Sequence, residues 1–243
     1  MLTKNAAATL AATLDSVKTF PEVILLDTGS TDQTLAIAQK YPNVKIFHTA
    51  FTGFGDLRNQ AAELAQHDWI FALDSDEVVS AELLEELAGL CLDPGVAYKI
   101  PRHNFYRGKR IRGCGWDPES VARLYHRGKV RFVPLQVHES LEAGASSVLR
   151  APLLHTPYRS TQDFLAKMQH YSTLFAEEYR GKRKSSFAKA FFHGFFAFVR
   201  SYVVRRGFLD GEEGFIISLY NANTTFYKYL KLKEINTTGR LIE

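Results

Sequence analysis

The sequence has little cysteine, no long apolar run and no internal repeat. Its two cysteines, Cys91 and Cys114, lack the spacing of a metal site and are too few for a disulfide framework. That excludes a small stapled scaffold and suits a reducing compartment. No apolar stretch reaches the roughly 20 residues that a membrane-spanning helix needs. Met1 to Leu14 carries a single lysine and no sustained apolar segment, so it does not read as a secretion signal. A glycine-rich, basic nucleotide loop near the N-terminus is also missing, which counts against a nucleotidyltransferase. No low-complexity linker divides the chain.

Hydrophobic residues make up 46% of the 243, enough for a sizeable core and against disorder. The length suits one large domain, or a main domain with an appendage. The formal charge of +4 hides a split: Met1 to Gly95 carries 5 Lys/Arg against 14 Asp/Glu, and the remainder carries 25 against 12. A net −9 followed by a net +13 suggests an acidic catalytic half and a basic half that meets an anionic partner.

Apolar spacing predicts a helix over Ala6 to Lys18, a short strand at Glu22 to Leu26 and a helix from about Asp32 to Lys40. It then predicts strands at Val44 to Phe47 and Trp69 to Leu73, separated by a helix from Leu57 to Ala65. Ser80 is the expected N-cap of a helix running to Leu90. Strands alternating with helices imply a largely parallel sheet covered on both sides, with ligands beyond the carboxyl ends of the strands. Asp27 and the Asp74–Asp76 stretch lie at such ends. From Tyr98 to about Leu154 strand-like pieces alternate with Gly- and Arg-rich turns, and from Ser160 onward the pattern is helical.

The stretch FALDSDEVVS places Asp74, Asp76 and Glu77 within four positions. Like charges this close cost free energy unless a cation or a shared proton relieves them. In extended chain, residues i and i+2 point the same way, so Asp74 and Asp76 could converge on one Mg²⁺ or Mn²⁺ that also binds a diphosphate. The alternative is an acidic helix N-terminus, with Asp76 and Glu77 favoured by the helix dipole and Glu77 capping the helix.

DTGSTDQT at 27 to 34, GFGDLRN at 53 to 59 and LDSDE at 73 to 77 occur in this order. Together they resemble the inverting family 2 glycosyltransferases of GT-A fold. RLYHRGKVRF at 123 to 132, VHESL at 137 to 141 and RRGFLDGEEGF at 205 to 215 narrow the resemblance to lipopolysaccharide-core and lipooligosaccharide glucosyltransferases. The resemblance implies an α/β fold with a mixed and mainly parallel sheet flanked by helices, to which residue spacing adds the expectation of a C-terminal helical membrane-associating region. It also implies a UDP-sugar donor, with Asp27 accepting from uracil, Asp74 and Asp76 holding the metal under the diphosphate, and Arg58 and Thr3 near the nucleotide. Structural alternatives are an Asx-turn begun by Asp27 and a helix-surface charge at Arg58. The family also implies a full apolar strand before Thr3-Lys4-Asn5, where this chain has Met1 and Leu2. The chain as written is therefore expected to lack a central strand and part of the nucleotide pocket.

His138 is a candidate for the metal shell, with a satisfied structural histidine as the alternative, and His155 has the same two readings. Trp116 either stacks on an acceptor sugar or packs in the core. For the base that takes the acceptor proton, Glu139 is favoured over Asp117, because it follows a β-like run and is not claimed by the metal.

The domain expectation is a catalytic domain over 1–158 and a helical extension over 159–243. Phe187, Phe191, Phe195, Phe198 and Tyr202 recur at about helical spacing beside basic residues. That predicts an interfacial helix on an anionic membrane surface, with packing on the catalytic domain as the alternative. The expected protein moves a hexose, glucose first among candidates, from a UDP-sugar to a lipid-linked oligosaccharide with inversion. It would do so at the cytoplasmic face of a bacterial inner membrane, with no nucleic-acid partner. Its rivals are a nucleotidyltransferase and a non-catalytic basic membrane-binding protein.

Overall fold

The computed structural model describes residues 1–133, 141–142 and 144–239. Two compact units divide the chain: Met1–His103 with Glu119–His155, and Asn104–Pro118 with Thr156–Glu243.

The first unit begins with the expected alternation: β1 (Leu2–Thr3), α1 (Leu10–Ser16), β2 (Val23–Asp27), α2 (Thr34–Ala38), β3 (Val44–His48) and α3 (Phe54–Leu64). β1, β2 and β3 pair in parallel, with Leu2 opposite Leu26, Thr3 opposite Asp27 and Val23–Asp27 alongside Val44–His48. All five residues of β2 are buried, as in a strand covered on both faces. Its alternate residues serve two cores. Val23 and Leu25 pack with Leu10 and Leu14 of α1, while Ile24 and Leu26 pack with Leu57 and Ala61 of α3. Fully burying a leucine of this kind contributes about 1.5–3 kcal/mol.

β4 (Trp69–Phe71), β5 (Glu77–Val79), α4 (Ala81–Ala88) and β6 (Val96–Tyr106) follow. Ser80 caps α4 as expected, its hydroxyl accepting from the Leu83 N–H at 3.1 Å. After β7 (Lys109–Arg110) come β8 (Ser120–His126), β9 (Arg131–Phe132), β10 (Leu141–Glu142), β11 (Ala145–Val148) and β12 (Leu153–His155). Among the described residues the order is β4-β8-β6-β12-β5, with β11 parallel beside β6. The parallel pairing expected of the sheet thus holds for β1 to β3, whereas β4–β8, β6–β8 and β5–β12 are antiparallel. Parallel neighbours need a crossover helix, and β6 and β8 are joined without one. A parallel bridge from Leu2 to Asp74 links the two sheets.

The second unit is a hairpin with helices. The end of β6 pairs with β7, Phe105 opposite Arg110 and Tyr106 opposite Lys109. α5 (Thr161–Glu178) starts at a capping box made by Ser160 and Asp163. α6 (Phe187–Val199) runs into a π-helical turn at Arg200–Val204, then a 3₁₀ turn at Gly207–Asp210 and α7 (Gly211–Thr238). Tyr106, Ile111, Cys114, Phe164 and Ile217 form the core of this unit. Trp116 stacks on Tyr158 with ring centroids 5.9 Å apart, so it packs in that core, the second of its two expected roles. RRGFLDGEEGF is a clasp: Asp210 accepts from the N–H groups of Arg112 and Gly113, and the Gly207 carbonyl lies where a Cβ on Gly214 would sit. No described helix is long and apolar enough to cross a membrane.

Candidate functional site

β1 organises the site in the first unit. Its two residues have Asp27 beside Thr3 on one side and Asp74 beside Leu2 on the other. Both carboxylates therefore sit at the carboxyl ends of neighbouring parallel segments, where open α/β sheets bind ligands.

Asp27 builds the loop that follows it. Its Oδ2 accepts from the N–H groups of Gly29 and Ser30, each at 3.0 Å, and its Oδ1 from the Ser30 hydroxyl. His48 Nδ1 is 3.6 Å from Oδ2. Burial works to raise the Asp27 pKa, but these hydrogen bonds outweigh it and hold the carboxyl below its ordinary value. The Asx-turn alternative accounts for this geometry. Thr31 N–H and Asn5 N–H close the loop by bonding Asn5 Oδ1 and Ser30 Oγ at 2.8 and 2.9 Å. Thr3 is 4% exposed, and its hydroxyl has no hydrogen-bond partner among the described residues. A buried polar atom without a partner is costly, and this one lies in the strand between the two carboxylates.

The acidic cluster finds its cations inside the protein. Arg58 of α3 donates from Nη2 to Asp74 Oδ1 at 2.6 Å, and Arg123 of β8 donates to Asp74 Oδ2. The same Arg123 nitrogen lies 2.6 Å from Glu77 Oε1. Arg102 of β6 reaches Glu77 Oε1 at 3.2 Å and Glu119 Oε1 at 2.6 Å. Three guanidinium groups thus meet three carboxylates. Burial works to raise the Asp74 pKa, but Arg123 and Arg58 hold the carboxyl far below the usual range.

Two expectations change here. Glu77 does not cap a helix: it lies in β5, 0% exposed, and its Oε2 accepts from the Asp74 N–H at 3.1 Å. Nor do Asp74 and Asp76 stand as i and i+2 of a strand. β4 ends at Phe71, and the Glu77 N–H bonds the Asp74 carbonyl at 3.1 Å, closing a turn. Asp74 faces the arginines, and Asp76 is the carboxylate of the DSDE run that no described guanidinium holds. Its side chain is 32% exposed, and His155 Nε2 lies 3.5 Å from Oδ2.

Among the described residues no three of His, Cys, Asp or Glu gather into a metal set. A divalent cation that keeps waters and takes substrate phosphate oxygens needs only one or two protein carboxylates. Asp76 with His155 fits that requirement, whereas both Asp74 oxygens are taken by arginine. His138 and Glu139 lie outside the described residues. Asp117 belongs to the second unit and accepts from Arg110 Nη2 at 2.8 Å.

Arg58 is buried and not a helix-surface charge; its guanidinium also lies 5.4 Å from the Phe132 ring centre. The next residue, Asn59, exchanges hydrogen bonds of 2.9 and 3.0 Å with the backbone of Phe132. Sequence reasoning assigned no role to Arg102, Arg123 or Glu119. The available signal was an arginine within each of two strand-like pieces that also carry core residues, since a buried cation needs a partner. A cavity of about 560 Å³ lies nearby, but its lining includes Met1, Ile24, Arg58 and Phe71 and none of Asp27, Asp74 or Asp76. Its lining is mainly apolar, and Arg58 is the residue it shares with the carboxylate cluster.

A family model described as "Glycosyl transferase family 2" matches residues 1–141. An uncharacterized glycosyltransferase of Rickettsia felis is 29% identical over 96% of this chain and 88% of its own. A lipopolysaccharide core biosynthesis glycosyltransferase, LpsC, of Rhizobium meliloti is 28% identical over 94% of this chain and 88% of its own. Among solved structures, S. aureus TarS is similar at 18% identity and a TM-score of 0.48, over 96% of this chain and 54% of that one.

Proposed function

The chain belongs to glycosyl transferase family 2, and from that premise we propose that it moves a hexose, glucose first among candidates, from a UDP-sugar to a lipid-linked core oligosaccharide with inversion. The observation that carries this reading is β1, flanked by Asp27 and Asp74, with Asp76 left unpaired by arginine at the same edge. The similarity to a lipopolysaccharide core biosynthesis enzyme favours the acceptor class. An acceptor of that kind suits an enzyme working at the cytoplasmic face of the inner membrane.

In this reading the Asp27 loop and the Thr3 hydroxyl receive the nucleoside, and Arg58 and Arg123 keep Asp74 ionised and fixed behind the diphosphate. A bound Mg²⁺ or Mn²⁺ supplies charge relief to the departing diphosphate, and Asp76 with His155 would hold it. The acceptor hydroxyl attacks the anomeric carbon from the face opposite UDP, and the bond between that carbon and the diphosphate oxygen breaks. For the base that takes the hydroxyl proton we propose Glu139, ahead of Asp117, whose carboxylate is engaged by Arg110.

Calorimetry of UDP binding with and without Mn²⁺, in the parent and in Asp76→Asn, tests the donor site. The parent should bind more tightly with Mn²⁺, and the variant should lose that gain while keeping its fold. Metal-assisted binding that survives in Asp76→Asn would sink the assignment. Radiolabelled UDP-sugars offered with truncated core lipids then identify donor and acceptor. Glu139→Gln should keep UDP binding while transfer falls ~10²–10⁴-fold.

A further inference from the structure

α6 is held to α7 by a narrow seam of small residues. Ala190 and Gly194 are its buried positions, and a Cβ on Gly194 would lie 3.0 Å from Cβ of Phe226. The rest of the helix is uncovered: Phe191, Phe192, Phe195 and Phe196, and Phe187 at the edge of the seam beside Phe226, are each 52–66% exposed. The turns that follow extend this surface with Val203, Val204 and Leu209, exposed by 54%, 70% and 67%. The sequence stripe is thus redrawn. Phe198 and Tyr202 stack on each other and pack against Phe215, at 5.7 Å each, so they belong to the inner side. Phe192 and Phe196 take their place outside.

The charge around this surface has one sign. From residue 179 to 209 the chain carries eight Lys or Arg and no Asp or Glu. Lys182, Arg183 and Lys184 just before α6, and Arg200, Arg205 and Arg206 just after it, are exposed. A second copy meeting this face through the same face would bring two wholly basic surfaces together, which repels. α6 and the turn it runs into are interrupted by Lys189, His193 and Arg200, and no described helix is long and apolar enough to cross a membrane. An apolar face that its own stretch of chain, residues 179–209, flanks with eight cations and no acid complements an anionic bilayer.

We propose that the outer face of α6 and the Val203–Leu209 surface lie in the headgroup region of an anionic membrane. The phenylalanines enter the acyl boundary, and the lysines and arginines meet lipid phosphates. The inference rests on the second unit alone and is independent of the transfer chemistry.

The test is co-sedimentation of the full chain with vesicles of phosphatidylcholine, with and without phosphatidylglycerol, at low and high salt. Binding should require phosphatidylglycerol and weaken with salt. Phe192→Ser with Phe196→Ser should abolish it, and replacing Lys182, Arg183 and Lys184 by Gln should weaken it at least ~10-fold. All five changed positions are exposed, so circular dichroism and Tm of the variants should match the parent and report an intact fold. As a second readout, Phe196→Trp should show a blue-shifted emission with anionic vesicles only. Equal partition into both vesicle types, no binding to either, or undiminished binding of the Phe192/Phe196 variant overturns the proposal. So does a dimer in sedimentation velocity that the same two substitutions dissociate, which would give the face to a second copy.

Discussion

Arg123 and Glu77 meet inside the first unit with Nη2 2.6 Å from Oε1, their side chains 5% and 0% exposed. The same nitrogen also reaches Asp74, so one guanidinium balances two buried or half-buried carboxylates. The pairing decides how the acidic run that looked like a metal site is tolerated without a metal.

Arg123→Met should therefore destabilise the protein. Breaking a buried ion pair by removing one partner costs about 3–5 kcal/mol. The expected loss lies near the lower end, because Arg102 still reaches Glu77 and Arg58 still reaches Asp74. Urea denaturation checks it: the midpoint should fall with little change in slope. A second change, Glu77→Gln in the Arg123→Met background, should cost much less than Glu77→Gln alone.

Acid should unfold the protein through the same residues. The Asp74 and Asp27 pKa values are lowered in the folded state, so the unfolded chain binds more protons around and below the ordinary carboxylate pKa. Their contribution is complete above that value, about pH 4, and declines as pH falls toward the folded values. Unfolding free energy measured in urea should decrease as pH is lowered from about 5 to 3, and Asp74→Asn should flatten that dependence. An unchanged slope in Asp74→Asn would refute the arginine account.

The clasp in the second unit gives a steric prediction. A Cβ on Gly214 would overlap the Gly207 carbonyl oxygen, whereas one on Gly89 meets nothing nearer than 3.8 Å. Overpacking of this kind costs typically about 1–3 kcal/mol and sometimes more. Each kcal/mol lowers Tm by about 2–4 °C at this chain length, so Gly214→Ala should fall by several degrees while Gly89→Ala stays close to the parent. Differential scanning calorimetry of the two variants decides it.

Periodicity and capping made the first 90 residues readable: β2, β3, α3 and the Ser80 cap lie where apolar spacing and hydroxyl chemistry put them. The pairing of Arg123 with Asp74 and of Arg102 with Glu77 was not readable, because it joins residues 49 and 25 positions apart. Spacing within a strand says which face a residue takes and nothing about what waits there. The turn at Asp74–Glu77 was hidden for a related reason. An extended reading of LDSDE depends on β4 continuing, and β4 stops at Phe71. Trp116 had two readings in the sequence, and only its stacking on Tyr158 shows that it packs; RRGFLDGEEGF carried resemblance alone, and its role as a clasp needed the contact of Asp210 with Arg112 and Gly113.

β1 also acts as a ruler. Asp27 and Asp74 flank it on opposite sides, so their backbones stand two strand spacings apart, about 9.5 Å, and one residue out of step. A compact anion touching one of these edges cannot touch the other. Whatever engages both must be elongated and lie crosswise over the end of the sheet, one end over the hydrogen-bonded Asp27 loop and the other over the Asp74–Asp76 side. Two residues of strand thereby set the minimum length of a ligand.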